Sequence, residues 1–244
     1  MNDSSLNIGE FPRGMGHTSL TNSEPAILIL IPAYNAARYL PELVSRIRRV
    51  ADDSDILIIN DGSTDKTAEI LQNLDAPYLI NNPNQGKGYT LKRGYDYAAD
   101  KGYDYVITID ADLQHLPEEL LRFMAESGRA DIYIGTRKIE LAIMPFARWL
   151  TNNLTSLIIS IFSGRRIRDS QSGYRMMATD LLRQVRVNSV KYDYESEILF
   201  QAGALGAKVG EIPITTIYEG SLSYINPLID TGRFIKLIWK RILL

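Results

Sequence analysis

Tyr105 to His115 reads YVITIDADLQH, a β-branched run that gives way to two acids one residue apart, then an amide and a histidine. The apolar part has the length and composition of a buried strand, and the acids fall where that strand should end. Four more runs of the same kind surround it: AILILI (Ala26–Ile31), DILIIN (Asp55–Asn60), YLIN (Tyr78–Asn81) and DIYIGT (Asp131–Thr136). Between them, apolar residues recur at helical spacing over Tyr39–Val50, Thr64–Leu74, Gly88–Asp100 and Pro117–Glu126, with turn residues at their ends. The alternation predicts an α/β fold, a mainly parallel sheet flanked by helices. Ligands of such sheets sit beyond the carboxyl ends of the strands, where the acids of YVITIDADLQH lie.

Composition narrows the chemistry. The 244 residues are 45% hydrophobic and 23% charged, too apolar for a disordered chain. Lys+Arg 27 against Asp+Glu 29 leaves no global positive field, so nucleic acid is not an expected partner. With no cysteine, thiolate nucleophiles, disulfides and cysteine-bound zinc are excluded. His17 and His115 are the two histidines, so a metal would be held by carboxylate oxygens, which suits Mg2+ or Mn2+.

The polar, glycine-bearing residues 1–24 read as a flexible leader, residues 25–230 as the α/β domain and 231–244 as a basic amphipathic tail. In the tail Phe234, Ile235, Leu237, Ile238 and Ile242 share one side of a helical wheel, opposite Arg233, Lys236 and Lys240. Such a helix suits an anionic membrane surface or docks on its own domain. The uncharged part of Leu141–Gly164 is shorter than the roughly twenty apolar residues a span needs, leaving a core helix or one lying in the membrane interface. A helix near Glu195–Leu205 and a strand pair at Val209–Ile212 and Ile214–Tyr218 follow.

Alternation along an extended segment predicts that Asp110 and Asp112 point to one side, where their mutual repulsion calls for a cation, with Gln114 offering an amide oxygen beside them. At the end of the second strand, Gly62 permits a tight turn, Ser63 or Thr64 caps the next helix, and Asp61 faces the crevice, open to a hydrogen bond from a nucleobase imide. Ile31 to Asn35, IPAYN, opens a crevice loop at the end of the first strand.

IPAYN, INDGSTDKT (Ile59–Thr67), NQGKG (Asn84–Gly88), IDADLQH (Ile109–His115), GTR (Gly135–Arg137) and RRIRDSQSGYR (Arg165–Arg175), in this order, resemble the family 2 glycosyltransferases of the GT-A fold. The branch they are most similar to is the dolichyl-phosphate mannose or glucose synthase-like one, over roughly Ala26 to Phe234. The resemblance implies that Pro32, Ala33, Tyr34 and Asn35 line a donor pocket, that Asp61 contacts the base, and that Asp110 with Ala111 holds the ribose and metal side. Asp110, Asp112 and Gln114 would ligate Mg2+ or Mn2+; Lys87 and Arg137 would lie near the donor diphosphate or the acceptor phosphate. Arg148, Asn152 and Arg175 would face a polyprenyl phosphate acceptor, Arg175 equally serving as a structural ion-pair partner. Asp169 would be a base for a hydroxyl acceptor or an orienting group for Arg175 or its loop. Ala36 stands where many relatives carry an acid, and Ser221-Leu222-Ser223 lacks a basic residue common there.

The implied activity is inverting, metal-dependent transfer of a sugar from a nucleoside diphosphate to a polyprenyl phosphate by a peripheral protein on the cytoplasmic face of a membrane. Transfer to a sugar hydroxyl in surface polysaccharide assembly and a non-catalytic nucleotide-sugar-binding protein are the alternatives. A dinucleotide fingerprint does not follow the first strand, and Gly86-Lys87 lacks the glycine and the Ser or Thr of a nucleotide-hydrolysing loop.

Overall fold

The computed structural model describes residues 24–52, 54–137, 156–157, 160–161, 164, 166–187 and 194–217. Arg148, Asn152, most of the leader, most of the apolar stretch from Leu141 and the tail from Gly232 lie outside the described residues. Seven strands, β1 (Ile27–Ala33), β2 (Asp55–Asn60), β3 (Tyr78–Ile80), β4 (Tyr105–Thr108), β5 (Ile132–Arg137), β6 (Arg175–Ala178) and β7 (Val209–Ile214), form one sheet in the order β3-β2-β1-β4-β6-β5-β7. All pairings are parallel except those of β6, which runs antiparallel to both β4 and β5. The mainly parallel reading therefore holds, with one reversed strand wedged into the middle.

Both faces of the sheet are covered, which is why β1 and β2 are near-continuous runs of Ile and Leu. On one face Ile29, Ile31, Ile56 and Ile58 pack with Leu40, Leu43 and Ile47 of α1 (Leu40–Val50) and with Phe123 of α4 (Leu120–Met124). On the other, Leu28, Leu30, Leu57 and Ile59 meet Leu91 and Tyr95 of α3 (Lys87–Lys101), Leu181 of α5 (Thr179–Gln184) and Ile198 of α6 (Tyr194–Ala204). Truncating any of the fully buried leucines to alanine should cost about 2–5 kcal/mol. Pro32, near the end of central β1, is tolerated because β4 pairs only with Ile27 to Leu30, so no ladder bond on that side needs its missing N–H.

Several boundaries differ from the sequence expectation. The second helix shrinks to α2 (Thr67–Leu71), and its first N–H is met by Asp65 Oδ1 at 2.9 Å, in place of Ser63 or Thr64. The fourth becomes a 3-10 turn (Pro117–Glu119) leading into α4. The expected C-terminal strand pair is one strand, β7, running through Pro213, followed by an isolated antiparallel bridge between Thr216 and His115. Because β4, β5 and β1 point the same way, the loops after them gather at one edge of the sheet.

Candidate active site

At that edge the loops after β1 and β2 are stitched to each other. Asn35, left-handed at φ 51, receives Ser63 Oγ on its N–H at 2.9 Å and accepts Thr64 N–H on its side-chain oxygen at 2.8 Å. The Ala36 N–H bonds to Thr67 Oγ1 at 2.9 Å. Asn35 thus braces the loop it was expected to share with the donor contacts. Pro32 and Ala33 are packed into the strand end, while Tyr34 stands 43% exposed over the crevice.

Asp61 is largely engaged within the protein. It is 4% exposed, and its carboxylate accepts from Asn81 Nδ2 at 2.9 Å, Gln85 N–H at 2.9 Å and Gly86 N–H at 2.8 Å. Three of about four lone-pair positions are committed to the NQGKG segment, so its main work is to fasten the start of α3 under the crevice. Gly62, at φ +65, is required here: a Cβ would lie 2.6 Å from Asn84 N.

That fastening sets Lys87, the first residue of α3. Its Nζ lies 2.8 Å from Asp110 Oδ1 and 3.6 Å from Glu195 Oε1. Burial alone would drive the Lys87 ammonium down, but the charges of Asp110 and Glu195 outweigh it and raise the group above its ordinary value. The same pairing works in reverse on Asp110: burial pushes it up, and Lys87, then His115 and Arg137, bring it below the usual carboxylate range. Gly173 leaves the room for this pair, since a Cβ there would sit 2.6 Å from Asp110 Oδ2 and 3.0 Å from Lys87 Nζ.

The acids are neighbours for a different reason from the one expected. β4 ends at Thr108, so Asp110 and Asp112 lie on a turn in which Leu113 takes φ 58, and strand alternation does not align them. Each still feels the other: burial, then the charge of Asp110, raise the Asp112 carboxyl above its ordinary value. Asp112 Oδ1 accepts the Gln114 N–H at 3.1 Å. Two such carboxylates and the Gln114 amide are hard oxygen donors, and a divalent cation would relieve the repulsion that lifts Asp112, so these residues fit Mg2+ or Mn2+. Among the described residues no three His, Cys, Asp or Glu side chains form a metal-ready group, so the remaining ligands would come from water or a bound diphosphate. Ala111 is buried beneath the turn.

Arg137 and Asp169 form a second pair. Nε meets Oδ2 at 2.6 Å, Nη2 meets Oδ1 at 2.8 Å, and the Arg137 N–H adds a 3.3 Å contact to Oδ2. Asp169 has 0% exposure. A base must reach its substrate. Asp169 thus holds and orients Arg137. Arg175 is likewise engaged within the protein, the structural side of its expected roles. At 1% exposure it donates to the carbonyls of Ser172 at 2.7 Å, Ser170 at 2.6 Å and Glu195 at 3.0 Å, a structural knot that leaves no face for an acceptor. The sequence reading passed over Glu195 and Gly173; only their meeting with Lys87 and Asp110 in space marks them.

Beside Arg137 lies a cavity of about 720 Å³ whose lining includes Leu157, Ile161, Ser156, Arg166 and Arg168. Leu157 and Ile161 are 57% and 67% exposed, so an apolar wall runs up to a set of guanidinium groups. Among the described residues, no helix is long and apolar enough to cross a membrane.

Residues 28–186 match the family model described as Glycosyl transferase family 2. Among curated proteins, the chain is 28% identical over 210 residues to an undecaprenyl-phosphate mannosyltransferase of Micrococcus luteus, covering 78% of this chain and 83% of that protein. It is 28% identical over 221 residues to a polyprenol monophosphomannose synthase of Mycolicibacterium smegmatis, covering 85% and 83%. Among solved structures, glucosyl-3-phosphoglycerate synthase from Mycobacterium tuberculosis, in complex with Mn2+, uridine diphosphate and glucosyl-3-phosphoglycerate, superposes with a TM-score of 0.65 at 17% identity. That superposition covers 87% of this chain and 76% of the other, and supports the GT-A fold.

Proposed function

The chain belongs to glycosyltransferase family 2, and from that premise we propose that it transfers a hexose, with inversion, from a nucleoside diphosphate to a polyprenyl phosphate at the cytoplasmic face of a membrane. The observation that carries this reading is Arg137, held in a fork by Asp169 at the end of β5 and lining an apolar, arginine-edged cavity. The names of the Micrococcus and Mycolicibacterium relatives support the acceptor class.

In this reading Tyr34 and the remaining lone pair of Asp61 serve the nucleoside, and Lys87 and Arg137 face the phosphates. Asp110, Asp112 and Gln114 would hold Mg2+ or Mn2+, which when bound supplies positive charge beside the leaving diphosphate. Lys87 can trade its bond to Asp110 for a diphosphate oxygen, while Glu195 keeps a second counter-charge nearby. Arg137, fixed by Asp169, is pre-oriented toward an anion and costs no reorganisation as charge develops. An acceptor phosphate with a second pKa near 6 is largely ionised at neutral pH and attacks without a general base. The locked state of Asp169 favours this acceptor over a sugar hydroxyl, which would need a free base. Attack on the anomeric carbon opposite the departing diphosphate gives inversion.

Incubation with a panel of labelled nucleotide sugars, manganese and a short polyprenyl phosphate, with products scored by mass, should yield one polyprenyl-phosphate sugar. Label appearing on a free sugar hydroxyl and never on the lipid phosphate would reject the acceptor assignment. Nucleotide-sugar binding without turnover on any acceptor would favour the non-catalytic alternative.

A further inference from the structure

A short stretch after β7, Thr215 to Ile217, lies across the acid turn and is fastened at both ends. Glu119, 8% exposed, accepts the Thr215 N–H at 3.0 Å on Oε1 and 3.2 Å on Oε2. The Ile217 N–H donates to the Gln114 carbonyl at 2.9 Å, and Thr216 and His115 form the antiparallel bridge between these two bonds. Burying a carboxylate is costly unless its partners compensate, and Glu119 has, besides Thr215, an Arg122 contact of 3.5 Å to a guanidinium that is itself half exposed. Its position makes sense if the place of Thr215 matters. The acid turn needs outside support, because Leu113 sits at φ 58, a left-handed conformation that costs a non-glycine residue energy and persists where its surroundings over-determine it.

We infer that Glu119 is a positioning residue for cation binding: it pins Thr215, Ile217 then clamps Gln114, and the turn is held in the shape that presents Asp112 and Gln114. This rests on the transferase reading above. Neither Glu119 nor Ile217 is among the cation's expected ligands, so both act through Gln114. β7 roots the strap, being paired with β5 from Ile132↔Val209 to Arg137↔Ile214. The links stand in series, and breaking either one releases the same carbonyl.

The test is manganese binding, followed by loss of the free-ion electron paramagnetic resonance signal in the presence of uridine or guanosine diphosphate, on the full chain. Glu119→Ala and Ile217→Pro should each weaken manganese binding roughly tenfold, at the low end of what loss of an outer supporting contact does to a metal site. Glu119→Gln, which keeps an acceptor oxygen for Thr215, should bind as the wild type does. The double variant Glu119→Ala/Ile217→Pro should lose no more than either single one, as expected of one coupled unit. Urea unfolding of each variant separates a loosened turn from a damaged fold; if Glu119→Ala does not fold, Ile217→Pro against Glu119→Gln decides. Equal manganese affinity in all folded variants, with the wild type binding, overturns the role of Glu119 and leaves the transferase reading standing. A wild type that binds manganese with neither nucleotide overturns that reading and this inference with it.

Discussion

Lys87 meets Asp110 through a single 2.8 Å contact, with the two side chains 22% and 28% exposed, whereas Arg137 holds Asp169 by two parallel bonds and leaves that carboxylate no exposure. Both pairs stand at the carboxyl edge of one sheet, Lys87 opening α3 opposite Asp110 just past β4, and Arg137 closing β5 opposite Asp169 just before β6. A compact ammonium on a flexible stem can change partners at little cost. A guanidinium forked onto a buried carboxylate cannot. The edge thus combines an exchangeable cation on the side of the nucleotide loops with a permanent one on the side of the apolar cavity. In the proposed reaction, charge that follows the leaving group would be separated from charge that waits in place.

The largest effect should come from attacking the permanent pair. Asp169→Asn strands a partly buried guanidinium and should lower stability by about 3–5 kcal/mol, read from urea unfolding. A loss no greater than that of Lys87→Met would break the contrast between the pairs. Next is Asp112→Asn, which touches neither pair: turnover should fall about a hundred- to a thousandfold with an unchanged unfolding midpoint. Wild-type rates with the metal chelated would remove the cation from the account. Lys87→Met should weaken nucleoside diphosphate binding by about tenfold. It should also let Asp110 titrate at higher pH than in the wild type, since the ammonium that opposes burial is gone. Carboxyl NMR shifts of Asp110 that do not move between the two proteins would show the pair to be incidental.

The smallest effect concerns His115, whose imidazole burial holds at about 4, against 6.5 ordinarily. Between those values the unfolded chain binds a proton that the folded chain refuses, so stability is full above about pH 6.5 and falls as pH drops toward 4. The slope should be at most about 1.4 kcal/mol per pH unit. It should flatten in His115→Gln. An unchanged slope in that variant would assign the acid sensitivity to the carboxylate pairs.

The β1 and β2 side of the sheet was legible because these two strands are apolar runs of seven and six residues, each leading into polar turn residues. β6 was not: RMMA is four residues without alternation, and it earns its place by lying between β4 and β5, both remote in sequence. The same distance hid the work of Asp61, whose N–H partners Gln85 and Gly86 lie 24 and 25 residues on, and of Asp169, whose partner Arg137 is 32 residues back. Spacing could place acids at a crevice; it could not say which were already engaged. Arg175 illustrates the limit from the other side, since an arginine in a charged segment reads as a surface ligand until three carbonyls close around it.

The reversed strand has a consequence for how such proteins diversify. The chain leaves the sheet beyond Arg137 and re-enters beside its point of departure, where Gly135 N–H bonds to the Tyr174 carbonyl at 2.8 Å and Ile134 stands in register with Arg175. Everything between is an excursion whose two feet are one strand spacing apart, about 4.8 Å. A segment of another length could stand on those feet without disturbing the ladder of β1 with β2, provided it kept the hold of Asp169 on Arg137 and the gap that Gly173 leaves beside Asp110 and Lys87.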